Sequence, residues 1–418
     1  MLTYMFRERK MRLWSVLFLL VVFSQVSLLG LAQDSELKRA VELYDAQNFV
    51  DALPLLEKAA IAQPENPVLL SKLGFTLYAV AGVEKDAGKR KQLLDRARQV
   101  LLKSQSLGDD SNLTKITLDG LEGGVDVIPY SQVKAAETSI REGEAAFVRG
   151  DMDGAIKAYK RALELDPRLY DAAVYAGDVE FKKAYLSKDP GFRKEHLEQA
   201  GNWFARAISI EANRETAYRY WGDALELQEK TEEARDKFVE AIVAEPFNQR
   251  AYMGLSQWAQ RHRVPIGHPK IEVPSNVSSG KLGEITVSVE DQALKQEGAS
   301  WLMYGLSRAS WMSNKGALSE KFSKAYPGET QYRHSLAEEA EALRMVAESA
   351  AEPLKSNKAA SLDPSLANLI KLKEAGLLEA YVLFARLDQG IAQDYAGYRT
   401  SNREKLKRYW LEIVIPKN

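Results

Sequence analysis

Across residues 217–248, AYRYWGDALELQEKTEEARDKFVEAIVAEPFN, small and apolar residues recur three and four positions apart on either side of one polar break. The pattern predicts two short helices in a hairpin. Leu225 packs in the first, Gln228–Thr231 makes the turn, and the second helix runs to Pro246. Gly222 and Ala234 lie twelve residues apart, one in each helix, where a larger side chain would wedge the backbones open. Phe238 and Ala241 follow Ala234 at i+4 and i+7, so the three share a face.

The same spacing returns upstream. Gly143, Ala155, Tyr159, Ala162 and Pro167 fall on it, as do Ala40, Ala52, Leu56, Ala59 and Pro64. Two further units fit with an insertion: Gly74 with Ala97 and Leu101, and Gly177 with Ala200, Phe204 and Ala207. In both, 23 residues separate the small residue of the first helix from that of the second, against 12 elsewhere, so each insert is 11 long. The Ala52–Ala97 spacing of 45 recurs as Ala155–Ala200, which reads as a duplicated block of one standard and one lengthened unit. A sixth first helix, Gln249–Arg261, carries Tyr252 and Leu255 and finds no second helix after it.

This grid resembles the tetratricopeptide repeat, a 34-residue helix–turn–helix unit with Gly or Ala at position 8, Ala at 20, Phe or Tyr at 24, Ala at 27 and Pro at 32. One such unit cannot bury its apolar face alone, so neighbours must stack. The fold expected is all-α: a solenoid of helical hairpins followed by a C-terminal helical region. Residues 33–113 hold repeats one and two, and 114–132 read as a connector broken by Gly120, Gly123, Gly124 and Pro129, or as a poor extra half-repeat. Residues 133–262 hold repeats three to five and the further helix. Residues 263–291 are a linker or small hairpin, and 292–418 are helical, outside the resemblance. There, 292–313 carries Trp301, Tyr304 and Trp311, and Glu329–Ala350 places Leu336, Ala340, Leu343 and Ala347 on one face. Asp363 and Pro364 read as N-cap and first helical residue of a helix that Gly376 closes, with two more helices expected over Leu377–Val414. Pro54 is expected in about the first turn of its helix, where an N–H has no partner to lose.

The N-terminus changes the picture of where this chain works. Arg7, Arg9, Lys10 and Arg12 precede the apolar run Leu13–Phe23, and Gly30 and Ala32 are placed for cleavage before Gln33. Residues 1–32 have the layout of a secretory signal peptide, with Met1 or Met11 as the start. The expectation is an exported protein, periplasmic or extracellular and bacterial. The alternative is an uncleaved leader anchoring it in the inner membrane, the one way it would contact a membrane. The 418 residues include no cysteine, so thiol chemistry and Cys-ligated metal are out. A net charge of −1 gives no basic field for nucleic acid.

Candidate chemistry is sparse, and no catalytic, cofactor or metal site is expected. Of four histidines, His262 and His268 flank a Pro/Gly loop, and His334 with Glu338 could share a helix face, too few ligands for a metal. Glu338, Glu339 and Glu341 read as a solvated helix face. Two tripeptides, Asn112–Thr114 and Asn276–Ser278, match the glycosylation sequon and carry little weight alone.

The family resemblance instead implies a protein or peptide partner in a concave groove lined by first-helix positions 2, 5, 9, 12 and 13. These are Glu137, Ile140, Glu144, Phe147 and Val148 in repeat three, and Asp171, Val174, Asp178, Phe181 and Lys182 in repeat four. In repeat five they are Thr216, Arg219, Asp223, Glu226 and Leu227. Position 9 is acidic in all three, which suits a segment with basic and apolar residues and equally serves to keep an exposed helix soluble. The Lys and Asn of the family's carboxylate clamp are missing at Ile140/Glu144 and Val174/Asp178. Two other readings are an unrecognised ligand-binding or enzymatic domain in the C-terminal region and a self-associating envelope component.

Overall fold

The computed structural model describes residues 35–84, 86–122, 130–279, 284–291, 300–312, 318–355 and 363–416. The leader, Gly123, Gly124, Pro129 and residues 292–299 lie outside them. The chain parts between Glu211 and Ala212 into two compact units.

The first unit is a run of helices: α1 (35–45), α2 (Phe49–Ala62), α3 (Pro67–Val83), α4 (Ala87–Ser106), α5 (Asn112–Glu122), α6 (Lys134–Val148), α7 (Met152–Leu165), α8 (Tyr170–Leu186) and α9 (Pro190–Ile210). Their starts are written in the sequence. Asn48, Asn66, Asp86, Asp151 and Asp189 each accept an amide of the first turn, and Pro67 and Pro190 begin their helices. α3 with α4, α6 with α7 and α8 with α9 pack as hairpins.

The small position of each first helix meets the large position of its second. A methyl group added at Gly74 would stand 2.4 Å from Leu101, at Gly143 2.4 Å from Tyr159, and at Gly177 2.5 Å from Phe204. No real side chain tolerates those separations, so the glycines set how closely the hairpins close. Repeat one reaches the same packing with Ala40 and the smaller Leu56, both fully buried.

The duplication holds in three dimensions. α2 and α7, α3 and α8, and the caps Asp86 and Asp189 all match at an offset of 103 residues (155 minus 52, from Ala155 and Ala52). The inserts lengthen both helices of their hairpins. Two expectations need correction. Pro54 is the sixth residue of α2, beyond the first turn, so the carbonyl of Val50 loses its helical partner. Residues 112–122, partly assigned to a connector, form α5. Leu118 and Leu121 join the core of α2–α4, Ser71 and Thr114 hydroxyls meet at 2.7 Å, and Gly120 leaves room for Tyr78. Burial of one apolar face outweighs the cost of a glycine in a helix.

The second unit begins with α10 (Glu215–Glu226), α11 (Thr231–Ala244) and α12 (Gln249–His262), followed by a two-stranded antiparallel hairpin, β1 (Ser275–Ser279) and β2 (Ile285–Val289). Then come α13 (Ser300–Trp311), α14 (Glu320–Ala325), α15 (Leu336–Lys355), α16 (Pro364–Ala375), α17 (Leu378–Ala385), α18 (Gln389–Ala392) and α19 (Tyr395–Tyr409), with Trp410–Val414 as a final wide turn. Asp363 caps α16 and Gly376 closes it at φ 68°. The helix expected from Glu329 starts only at Leu336, and its four-residue stripe is buried.

One core joins α11 and α12 to α15–α19, through Phe238, Val239, Ile242, Leu255, Leu343, Val346, Leu369, Tyr381 and Trp410. Repeat five therefore belongs with the C-terminal helices, and the boundary expected at 262/263 is not where the compact units part. Glu240, which takes Arg403 and Lys407, and the carbonyl of Val243, which accepts from Tyr395, tie α19 to α11. Across its described residues the fold is all-α hairpins apart from β1–β2.

Candidate peptide-binding groove

In the first unit the first helices α3, α6 and α8 bound a cavity of about 1100 Å³. Its lining includes Tyr78, Tyr130, Phe147, Tyr159 and Tyr175, with Glu137, Arg141, Glu142, Glu144 and Asp178 among the charged groups. Tyr175 packs edge to face on Tyr130, 5.9 Å away at 88°, and stands tilted at 53° to Tyr159, 5.7 Å away.

Charge in the groove is largely spoken for. Tyr130 donates to Glu144 at 2.7 Å, and Arg141 donates to Glu137 at 2.9 Å and to Glu144 at 3.4 Å. The Arg141 guanidinium also lies 4.6 Å from the Tyr130 ring centre. Burial raises the Glu144 carboxyl above its ordinary value, against the Tyr130 hydrogen bond and the Arg141 charge. Burial likewise pushes the Tyr130 and Tyr159 hydroxyls far up, so both stay neutral donors. Glu142 is the exposed acid on this helix, 3.6 Å from Arg161.

The structure sorts the sequence candidates. Glu137, Glu144, Phe147, Val148 and Asp178 line the cavity. Ile140 and Val174 do not: both are buried among core side chains, because position 5 of these helices faces the neighbouring helix. Asp171 is half-buried outside the lining, and Phe181 stacks on Tyr185. The repeat-five residues lie in the other unit. There Arg219 and Thr216 both bond Glu215, Asp223 is half-buried, and Glu226 takes Arg261 and His262. The sequence reading missed Tyr130, which lies inside the stretch 114–132 read as a connector, and Tyr159, whose position it reserved for packing. It had no pattern for Tyr175 or Arg141 either.

The C-terminal acids are not a solvated face. Glu338 and Glu339 are fully buried. Glu339 accepts from Tyr304 at 2.8 Å and Arg386 at 2.6 Å, and faces His334 at 3.2 Å. Glu338 takes Arg308 and Tyr332, both at 2.9 Å. His334 precedes α15 and pairs with Glu339 and Asp388, not with Glu338. Burial disfavours the imidazolium, but the bonds to Glu339 and Asp388 outweigh it and raise His334. For Glu339, burial is outweighed by His334 and Arg386, which hold it at about 2. Trp311 lines a separate cavity of about 590 Å³ with Tyr326, Arg344, Glu379 and Tyr398, and His334 and Glu338 are not part of it. No group of three or more potential metal ligands occurs among the described residues.

A family model described as tetratricopeptide repeat matches residues 136–169, the hairpin of α6 and α7. This segment belongs to the tetratricopeptide repeat family. Solved structures similar to the chain include the TPR domain of Arabidopsis OM64, 21% identical over 31% of this chain and 98% of that one, with a TM-score of 0.26. The first TPR of Spaghetti (RPAP3) bound to an HSP90 peptide is 21% identical over 32% and 99%, at 0.27. The TPR2AB domain–pHSP90 complex of yeast Sti1 is 15% identical over 56% and 99%, at 0.27.

Proposed function

We propose that this chain is an exported, non-enzymatic adaptor whose tetratricopeptide groove holds an extended segment of another protein, one rich in apolar and basic residues. The observation that carries this is the cavity over α3, α6 and α8. Its tyrosine floor offers flat apolar faces, while Glu142 and Asp178 supply negative charge beside Phe147. Export is supported by the basic head and apolar run of residues 7–31.

The His334–Glu339 cluster supports no second reading, since each of its acids is engaged by a neighbouring base or hydroxyl. The test is capture of partners from envelope extract of the native host by the wild-type chain and by a Phe147→Ala, Glu142→Lys variant. Loss of specific polypeptides with the fold intact supports the groove, and an unchanged set of partners overturns it. Mass spectrometry of the mature N-terminus should find Gln33 first. A start before residue 20 would contradict cleavage.

A further inference from the structure

The duplicated block supplies its own control. In each lengthened hairpin the second helix starts from the same kind of cap, Asp86 before α4 and Asp189 before α9. Asp86 accepts the Lys89 amide at 2.8 Å and Asp189 accepts the Phe192 amide at 2.6 Å. Arg90 and Lys91 in one become Arg193 and Lys194 in the other. Half of an 11-residue insert on each side, at about 1.5 Å per residue, carries each corner about 8 Å beyond an unextended hairpin.

The two corners differ in what they show to water. Gly82, Val83 and Lys89 of the first are replaced by Tyr185, Leu186 and Phe192 in the second. Those three are 59%, 45% and 40% exposed. Asp86 caps α4 as Asp189 caps α9 although the first hairpin lacks these side chains, so the cap does not require their apolar surface. Phe192 rests one side on His196, and Tyr185 stacks on Phe181 with the Lys182 ammonium 5.4 Å from its ring centre. Lys188 and Lys194 are exposed and Arg193 half-exposed around them. Of the nearby acids, Asp189 and Asp151 cap helices, Asp153 pairs with Lys183 at 2.9 Å, and the exposed Glu195 accepts from Gln199 at 3.0 Å.

We infer that the α8–α9 corner docks on an anionic lipid surface. Tyr185, Leu186 and Phe192 enter the headgroup layer, and Lys188, Arg193 and Lys194 meet the phosphates. A projecting tip that points its own apolar groups outward, ringed by cations, is the layout of an interfacial anchor. A shallow hollow of about 490 Å³ lies beside this tip, lined by Leu186 and Phe192 together with Met152, Asp151, Asp153 and Lys183.

The chain has no cysteine, so Lys188→Cys gives a unique site for an environment-sensitive fluorophore at the tip. With vesicles of mixed phosphatidylglycerol and phosphatidylcholine, the probe on the full chain should brighten severalfold and shift to the blue, less so in high salt. Leu186→Ser with Phe192→Lys, which copies the other corner at residue 192, should abolish the response while circular dichroism stays unchanged. Binding through residues 13–31 is common to both proteins and leaves the probe in water. A probe that stays wet on anionic vesicles overturns the inference, as does an equal response from the doubly substituted chain. So does a response only when a protein from extract is added, which would put a protein at the corner.

Discussion

One edge of the Phe238 ring, its Cδ1 and Cε1, lies against both Gly222 and Gly254. A methyl group at residue 222 would stand 2.4 Å from the ring, and one at residue 254 would stand 2.2 Å from it. The ring is 2% exposed, so it has no solvent to retreat into. Gly222→Ala must displace that ring edge from a site already closed by Gly254, an overpacking cost of roughly 1–3 kcal/mol with the trapped ring at the upper end. Alanine's better helix propensity returns about 0.5–1 kcal/mol. The net expectation is a loss of about 1–2 kcal/mol.

The control is Gly82→Ala, an exposed helical glycine with nothing within 4 Å of the added methyl, which should be neutral or stabilising by up to about 1 kcal/mol. A second control copies repeat one, which pairs Ala40 with Leu56. Gly222→Ala and Phe238→Leu together should cost less than the sum of the singles by at least about 0.5 kcal/mol. Thermal melts followed by circular dichroism read the difference at roughly 2–4 °C per kcal/mol for a unit of this size. If Gly222→Ala melts no lower than Gly82→Ala, the argument that glycine sets hairpin closure fails.

Ala234→Leu, at a fully buried site, should cost about 1–3 kcal/mol in urea unfolding, and an unchanged midpoint would contradict the register. His334 makes stability fall on the alkaline side. Its raised pKa means its contribution is complete below the ordinary 6.5 and is lost as pH rises through the folded value. Glu339, depressed from 4.5 to about 2, contributes above 4.5 and loses that as pH falls toward 2, so the pair stabilises most between the two ordinary values. His334→Gln should flatten the alkaline limb of the melting profile and also weaken the acid limb, because His334 helps to hold the Glu339 carboxyl down. A profile unchanged above pH 6.5 would refute this assignment. Glu339→Leu leaves Arg386 and His334 facing no buried acid and should cost about 3–5 kcal/mol by the same melts.

The repeat grid was legible because its rule is local. Gly143, Gly177 and Gly222 each answer to one ring sixteen or more residues on, and the caps Asp86, Asp189 and Asp363 announce their helices. The groove was legible only in part. Phe147 and Asp178 were placed there by the family resemblance, whereas Tyr130 reaches Glu144 across a stretch with no repeat pattern. Ile140 and Val174 went the other way, since which side of a first helix is buried depends on how the next hairpin is rotated. In the C-terminal region the partners of Glu338 and Glu339 come from 30 and 47 residues away. A pair of adjacent glutamates on a charged helix carries no local sign that Arg308 and Arg386 will close over it.

The groove itself is tested most directly by site-specific photocrosslinking in the native host. A photoreactive residue at Phe147, inside the cavity, is compared with one at Glu164, exposed on α7. A discrete polypeptide adduct from residue 147 and none from residue 164 is the predicted result. Adducts from both positions alike, or from neither while the protein is folded and exported, would contradict it.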